Sequence, residues 1–364
     1  MFFKQSISLP VRGSTTLNHE ASTSEINVRV ASAGSGGQRT TGNCARKRTA
    51  MVKSSTTNSV AIAATTSFVQ LRRQAQAVGP KRVAVVAADD EVALTAAEGA
   101  MYLGIATPVL IGDGQKIRAK AEALKLESLF ERGEIIDTAD AAHVAVKLAR
   151  EGKADVLLKG HLRTDELLRA VLNKETGLRT GRLLSDVLVY EDHLAGRQRL
   201  VGVTDGGLNV SPNLEQKKEI VKNAIEVMHS IGIFRPKIAM MSATEAVSNS
   251  VPSTVDAQSL AEMGAAGEFG EADVFGPVAL DCALLRLAAE EKGIQHAAAG
   301  FADCMVVPNI EAGNLLGKAV KYLGGSQCGH VVVGAEVPIL IPSRVESAED
   351  KVNAMALGVI FAAR

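Results

Sequence analysis

From Lys81 onward, short unbroken apolar runs alternate with longer stretches in which apolar residues recur every three or four positions. "RVAVVAA" (82–88), "TPVLIG" (107–112), "EIID" (134–137) and "ADVLLKG" (154–160) are of the first kind. "DDEVALTAAEGAMYLG", "AAHVAVKLAREG" and "TDELLRAVLN" are of the second. Continuous apolar runs predict strands covered on both faces, and the spaced pattern predicts the helices that cover them. The rhythm breaks at the turn-rich "KETGLRTGR" (174–182), after which "LLSDVLVYED" and "RQRLVGVTD" read as neighbouring strands. A long helix is then expected over 214–231, the strand "KIAMMSA", a helix near Ser259, the strand "ADVFGP" and a helix over 278–292. "CMVVPN" and a helix over 314–323 follow, and the last unit is "HVVVGAEVPILI" with a terminal helix. This order predicts an α/β class with mainly parallel sheets, in two domains that part near residue 178. No GxGxxG follows the first strand, so a dinucleotide-binding unit is not expected.

The first eighty residues carry no such rhythm. They are rich in Ser, Thr, Ala and Gly, with only Glu20 and Glu25 as acids against ten Lys or Arg. Such a segment buries too little apolar surface to order itself, so 1–80 is expected to be a disordered or non-native extension. The composition resembles a transit peptide, but a start at Met51 is the preferred expectation. "AGSGGQRTTG" lacks the ending and the preceding strand of a phosphate loop.

Composition narrows the function classes. Hydrophobic residues are 46% and charged residues 22% of the chain, and 40 basic residues balance 40 acidic ones. The balance argues against a nucleic-acid or membrane-surface specialist, so any anion must be bound by local charge. No apolar run approaches the roughly 18 residues of a membrane span, which predicts a soluble, cytoplasmic chain. The cysteines (Cys44, Cys282, Cys304, Cys328) form no CxxC, and neither a disulfide framework nor a metal site is expected.

Four loops at predicted strand ends carry polar residues that packing does not require. In "KGHLRTDELLRAVL", Thr164 is a candidate N-cap and the helix start a candidate anion site, which Arg169 could reach. An ordinary capped helix with a solvated Arg169 fits as well. In "VTDGGLNVSP", Asp205 precedes a Gly pair that suits either close backbone approach to a ligand or a tight turn. "VPNIEAGNLLGK" places Asn309, Glu311, Gly313 and Asn314 between a strand and a helix. "PSRVESAEDK" (342–351) holds a capping-box pattern, Ser347 with Asp350, that leaves Ser343 and Arg344 unexplained.

Together "LLKGHLRTDELLRAVLN", "NLEQKKEIVKNAIEVMHSIGIFRPKIAMMSATE", "VPNIEAGNLLGK", "GAEVPILIPSR" and "SAEDKVNAMALGV" resemble the phosphate acetyltransferase and phosphate butyryltransferase family, from about Lys81 to Arg364. "VGAEVPILIPSR" is closer to the butyryl-type branch and to the hydratase-fused acyltransferases. Glu336 stands where that branch commonly has a basic residue, and Glu346 where it commonly has Asp. The resemblance implies two three-layer α/β domains like those of isocitrate and isopropylmalate dehydrogenases, with the active site in the cleft between them. Residues 81–177 and 327–364 would make the first domain, and 178–326 the second, inserted one. It also implies interconversion of a short-chain acyl-CoA plus phosphate with acyl phosphate plus CoA. Coenzyme A would be a substrate, with no cofactor or metal, and the chain a homodimer or higher homo-oligomer.

Ser343, Arg344 and Asp350 keep the spacing of that family's catalytic residues, and Arg169 five residues after Thr164 matches a substrate-binding arginine. Asn309, Gly313 and Asn314 join Thr164 and Arg169 as expected substrate-binding residues. Asp350 is expected to take the thiol proton, with a pKa raised by burial; Ser343 to donate to the oxyanion; Arg344 and Arg169 to clamp phosphate. Attack would be direct, without a covalent intermediate. The rivals are a metal- and NAD-dependent decarboxylating dehydrogenase of related fold and a non-catalytic CoA-binding homologue.

Overall fold

A computed structural model describes residues 64–343 and 345–364; the Met51 start and the "AGSGGQRTTG" segment lie outside them. The chain runs α1 (Phe68–Val78), β1 (Lys81–Val86), α2 (Glu91–Tyr102), β2 (Ala106–Gly112), α3 (Gly114–Ala123), α4 (Ser128–Arg132), β3 (Glu134–Asp137), α5 (Ala141–Arg150), β4 (Val156–Lys159) and α6 (Thr164–Val171). It continues through β5 (Ser185–Asp192), β6 (Arg199–Thr204), α7 (Leu214–Ser230), β7 (Lys237–Met241), α8 (Pro252–Ala265), β8 (Asp273–Val278), α9 (Leu280–Leu284), α10 (Arg286–Glu291), β9 (Cys304–Val306) and α11 (Ile310–Lys318). A π-helical turn (Ala319–Leu323), β10 (Cys328–Val333), β11 (Ile339–Leu340) and α12 (Ala348–Ala362) complete it.

All strands join one eleven-stranded sheet in the order β3-β2-β1-β4-β11-β10-β5-β6-β9-β7-β8. Pairing is parallel on both flanks and antiparallel only in the middle, where β10 meets β11 and β5, and β5 meets β6. The strands of the two predicted halves thus meet edge to edge through β10 and β5 rather than forming separate sheets. Adjacent positions on a strand serve opposite cores: Val83 and Val85 pack with α2 and α12, Ala84 and Val86 with α5 and α6. Helices cover both faces, which explains why the strands read as continuous apolar runs.

Several expectations need correction. Residues 64–80 are not extension: Ser67 caps α1, whose Phe68, Leu71 and Ala75 are buried in the main core. The Ser-rich composition hid one apolar helical stripe. The helix expected over 278–292 breaks at Leu285, whose backbone is extended. The last apolar run bends at Gly334, with φ of 102°, so that β10 and β11 pair with each other. A side chain there would collide with the Leu183 carbonyl.

Helix α12 organises the centre. Every residue from Asp350 to Ile360 is buried. The helix lies on β4, β11 and β10, between α2 and α7, with α1 laid across it. A Cβ at Gly329 of β10 would stand 3.1 Å from the Ala354 nitrogen, which shows how closely helix and sheet approach. Leu357→Ala, at a wholly buried position, is expected to cost about 2–5 kcal/mol. Urea unfolding measures this as a lower midpoint with an unchanged slope.

Candidate functional site

The capping box opening α12 is more than a cap. The Asp350 backbone N–H donates to Ser347 Oγ at 3.1 Å, and the Ser347 backbone N–H donates to Asp350 Oδ2 at 3.2 Å. Ser347 Oγ also donates to Oδ2 at 2.6 Å, and the Cys328 N–H donates to Oδ1 at 3.2 Å. Lys321, from the π-helical turn, reaches both carboxylate oxygens at 2.7 and 2.6 Å. Burial alone would raise the Asp350 pKa, but the ammonium and the donated hydrogen bonds outweigh it and hold the carboxyl below its ordinary value. The expected upward shift is therefore reversed, because Asp350 is buried against a cation rather than against an apolar wall.

Ahead of this cap, Ser343 to Glu346 form a turn closed by the Glu346 N–H donating to the Ser343 carbonyl. The buried Lys351 ammonium donates to the same carbonyl at 3.3 Å; burial lowers its pKa. Ser343 faces a cavity of about 280 Å³, and Arg344 lies outside the described residues. A wider recess of about 620 Å³ shares Thr164, Gly207, Ile341 and Ser343 with that cavity and adds Lys159 and Asp165.

The expected substrate-binding residues divide. Thr164 lines the cavity, though as the first residue of α6: Arg163 holds the N-cap position, and neither supplies a capping bond. Arg169 is exposed and pairs with Asp165 at 3.0 Å, pointing along the outer face of α6. Asn309 caps α11, accepting from the Ala312 N–H at 3.0 Å. Gly313 and Asn314 both line the cavity. A Cβ at Gly313 would sit 2.7 Å from the Asp205 carbonyl oxygen, so the glycine lets α11 rest on the loop after β6. That loop is set by Asp205, whose Oδ1 accepts from the Gly207 and Leu208 N–H groups, each at 2.8 Å. Burial and the neighbouring Asp186 charge raise the Asp205 pKa in spite of those bonds.

Asp186 on β5 and His330 on β10 line the cavity without having been expected there, and so does Glu346, which the sequence marked only as a departure from the branch pattern. His330 Nδ1 lies 3.1 Å from Asp186 Oδ2, and Nε2 lies 3.4 Å from Glu346 Oε1. Burial would lower the imidazole pKa, but the Asp186 carboxylate, then those of Glu346 and Asp350, lift it to about 9. Each ring nitrogen thus faces a carboxylate, an arrangement that favours the charged form of the ring. The only prior signal was a charge inside each apolar run, Asp186 in "SDVLVYED" and His330 in "GHVVVGAE".

Among the described residues one group has metal-ligand geometry, Glu245 with Asp281 and Cys282. Lys292 pairs with Glu245 at 3.2 Å and with Asp281 at 3.0 Å, so an ammonium already neutralises that group. None of the three lines the cavity.

Two measurements probe these charges. Lys321→Met leaves the Asp350 carboxylate buried without its cation, and is expected to cost about 3 kcal/mol in urea unfolding at neutral pH. Acidification should narrow that gap, because the Asp350–Lys321 stabilisation exists above the unfolded aspartate pKa and disappears as pH falls through its lowered folded value. His330 works in the opposite sense. Its contribution is complete below an unfolded pKa of about 6.5 and fades as pH rises through about 9. Denaturation midpoints across that range should fall for the native chain, and His330→Gln should remove that part of the decline.

Comparison with known proteins places this geometry. A family model described as Phosphate acetyl/butaryl transferase matches residues 128–359. A phosphate butyryltransferase of Clostridium beijerinckii is 40% identical over 299 residues, covering 82% of this chain and 98% of the relative. A phosphate acetyltransferase of Rhizobium meliloti is 38% identical over 80% of this chain and 92% of the relative. Among solved structures, a branched-chain phosphotransacylase from Enterococcus faecalis superposes with a TM-score of 0.68 at 28% identity. That match covers 78% of this chain and 99% of the neighbour.

Proposed function

Because the chain belongs to the phosphate acetyl/butyryl transferase family, we propose that it interconverts a short-chain acyl-CoA plus phosphate with acyl phosphate plus CoA, in the cavity beside Ser343. Family membership favours this transferase over the decarboxylating dehydrogenase. The observation that carries the site is the composition of the cavity wall. Thr164, His330 and Ser343 come from 81–177 and 327–364, whereas Asp186, Gly207 and Asn314 come from 178–326. Lining from both segments fits a cleft between two domains of the isocitrate dehydrogenase type.

Ser343, half-buried and fixed through its carbonyl, donates its hydroxyl to the oxyanion that forms when thiol or phosphate attacks the acyl carbon. Arg344, the next residue, clamps phosphate through its planar fork. Arg169 joins it from the mouth by exchanging Asp165 for a phosphate oxygen. Asn314 and Gly313 shape the opposite wall. Asp350 takes the thiol proton as CoA attacks, and its bonds to Lys321, Ser347 and Cys328 fix where the turn after Ser343 ends. Both substrates are held for direct attack, so positioning supplies much of the rate and no covalent intermediate is needed. CoA enters as substrate, no metal or cofactor takes part, and the enzyme works in the cytoplasm as a homo-oligomer. Among the described residues no helix is long and apolar enough to cross a membrane.

The test is phosphate-dependent CoA release from acetyl-, propionyl- and butyryl-CoA. Turnover is expected with at least one, and Ser343→Ala should lower it by about 100-fold or more, as loss of an oxyanion donor does. Binding of CoA with no thioester loss from any of the three would overturn the assignment in favour of a non-catalytic homologue.

A further inference from the structure

Two recesses meet at Ser343, and they differ in size and lining. The wider, of about 620 Å³, also takes in Lys159, Arg163 and Asp165. The narrower, of about 280 Å³, also takes in Leu188 and Val203, and both share Ile341. A thioester carbonyl held at Ser343 divides its substrate at this junction. The wide, charged side suits the long CoA moiety, and the narrow side with its apolar wall suits a short acyl chain.

Gly317, near the end of α11, lines the narrow side, where three other glycines are fixed by crowding. A Cβ at Gly206 would stand 2.7 Å from the Gly313 carbonyl carbon, and one at Gly207 would stand 2.6 Å from Asp186 Oδ2. Gly313 is pressed as closely by the Asp205 carbonyl. At Gly317 a Cβ would meet a single neighbouring side chain, the end of Leu188 at 3.0 Å, and the residue has no positive φ. Glycine is among the least favourable residues inside a helix, and no backbone conformation requires it here. Its effect is room: a side chain at 317 would lean on Leu188 and take volume from the cavity that both residues line. Leu188 is 5% exposed and packs in a core with Val203, against Leu316 and Val320, so it has little space to retreat.

We propose that Gly317 and Leu188 set the length of the acyl group, and that the space left at Gly317 admits butyryl- and isobutyryl-sized chains in preference to acetyl. The inference rests on the acyltransferase reading and narrows it to a substrate class. An acetyl group would leave that part of the cavity unfilled, whereas a longer chain covers Leu188 and Val203 and removes apolar surface from water. One methylene more or less in an apolar pocket changes discrimination by about 10–200-fold, so a single side chain at 317 is enough to alter the preferred substrate.

The experiment measures kcat/KM for acetyl-, propionyl-, butyryl- and isobutyryl-CoA at saturating phosphate, in the native enzyme and in Gly317→Ala and Gly317→Leu. The native enzyme should prefer butyryl- or isobutyryl-CoA to acetyl-CoA by about tenfold or more. Gly317→Leu should lower that ratio by about tenfold or more, chiefly through the longer substrates, and Gly317→Ala should lower it less. Leu188→Ala added to Gly317→Leu should raise the ratio again, because it returns the volume that the new side chain took. If Gly317→Leu does not fold, the native ratio and the alanine variant carry the test. A native preference for acetyl-CoA overturns the proposal. An equal loss on all the substrates overturns it as well, and makes Gly317 a packing glycine between α11 and β5. So does a ratio that neither variant changes. No turnover of any of these thioesters by the native enzyme would count against the acyltransferase reading instead.

Discussion

The rest of the molecule depends on how α12 begins. A helix buried all round can rely on no water at its first turn, so its unpaired N–H groups and the carboxylate beside them need protein partners. Ser347 and Asp350 satisfy each other, and Lys321 neutralises the charge that remains. That ion pair ties the start of α12 to the turn after α11, and the Cys328 N–H ties it to the first residue of β10. Three successive segments of the chain are thereby held at one point. The turn closed between Ser343 and Glu346 leads directly into that point, so its position is inherited from the packing of the central helix.

The charged groups of the site follow from the same geometry. β10 and β5 lie in the antiparallel middle of the sheet, where His330 pairs across with Leu188, two residues from Asp186. Imidazole and carboxylate therefore meet at the strand ends, where the cavity opens. A lone buried carboxylate there would be costly, and the two that flank His330 are tolerable because one imidazolium serves both. The loop after β6 closes the other side, and the glycine at 313 lets α11 settle on it without displacing Asp205.

How much of this could be read in the chain depends on whether the cause is local. The capping box was legible because Ser347 and Asp350 are three residues apart and the bond they form is short-range. Strand and helix order was legible for a similar reason, since periodicity records which faces are covered. What escaped has non-local causes. The bend at Gly334 answers to a neighbour from another segment, the Leu183 carbonyl, and the break at Leu285 leaves no mark in the apolar spacing. Helix α1 hides in a Ser-rich stretch because its stripe gains meaning only against α12. Asp186, His330 and Glu346 are separated by up to 160 positions (346 − 186), and no spacing rule connects them. The Asp350 pKa was misjudged in direction because burial was visible in the pattern while the identity of the burying group, Lys321, was not.

Electrostatic balance gives the last constraint. The substrates are anionic through their phosphates, and a cavity lined by Asp186 and Glu346 would repel them if those charges stood alone. The structure sets a cation against each: His330 between Asp186 and Glu346, Lys321 on Asp350, and Lys318 on the cavity wall. The chain as a whole has no net charge to attract phosphate, so attraction has to come from residues at the mouth. Thr164 lies at the start of α6, where the helix dipole favours an anion, and Arg163 stands immediately before it.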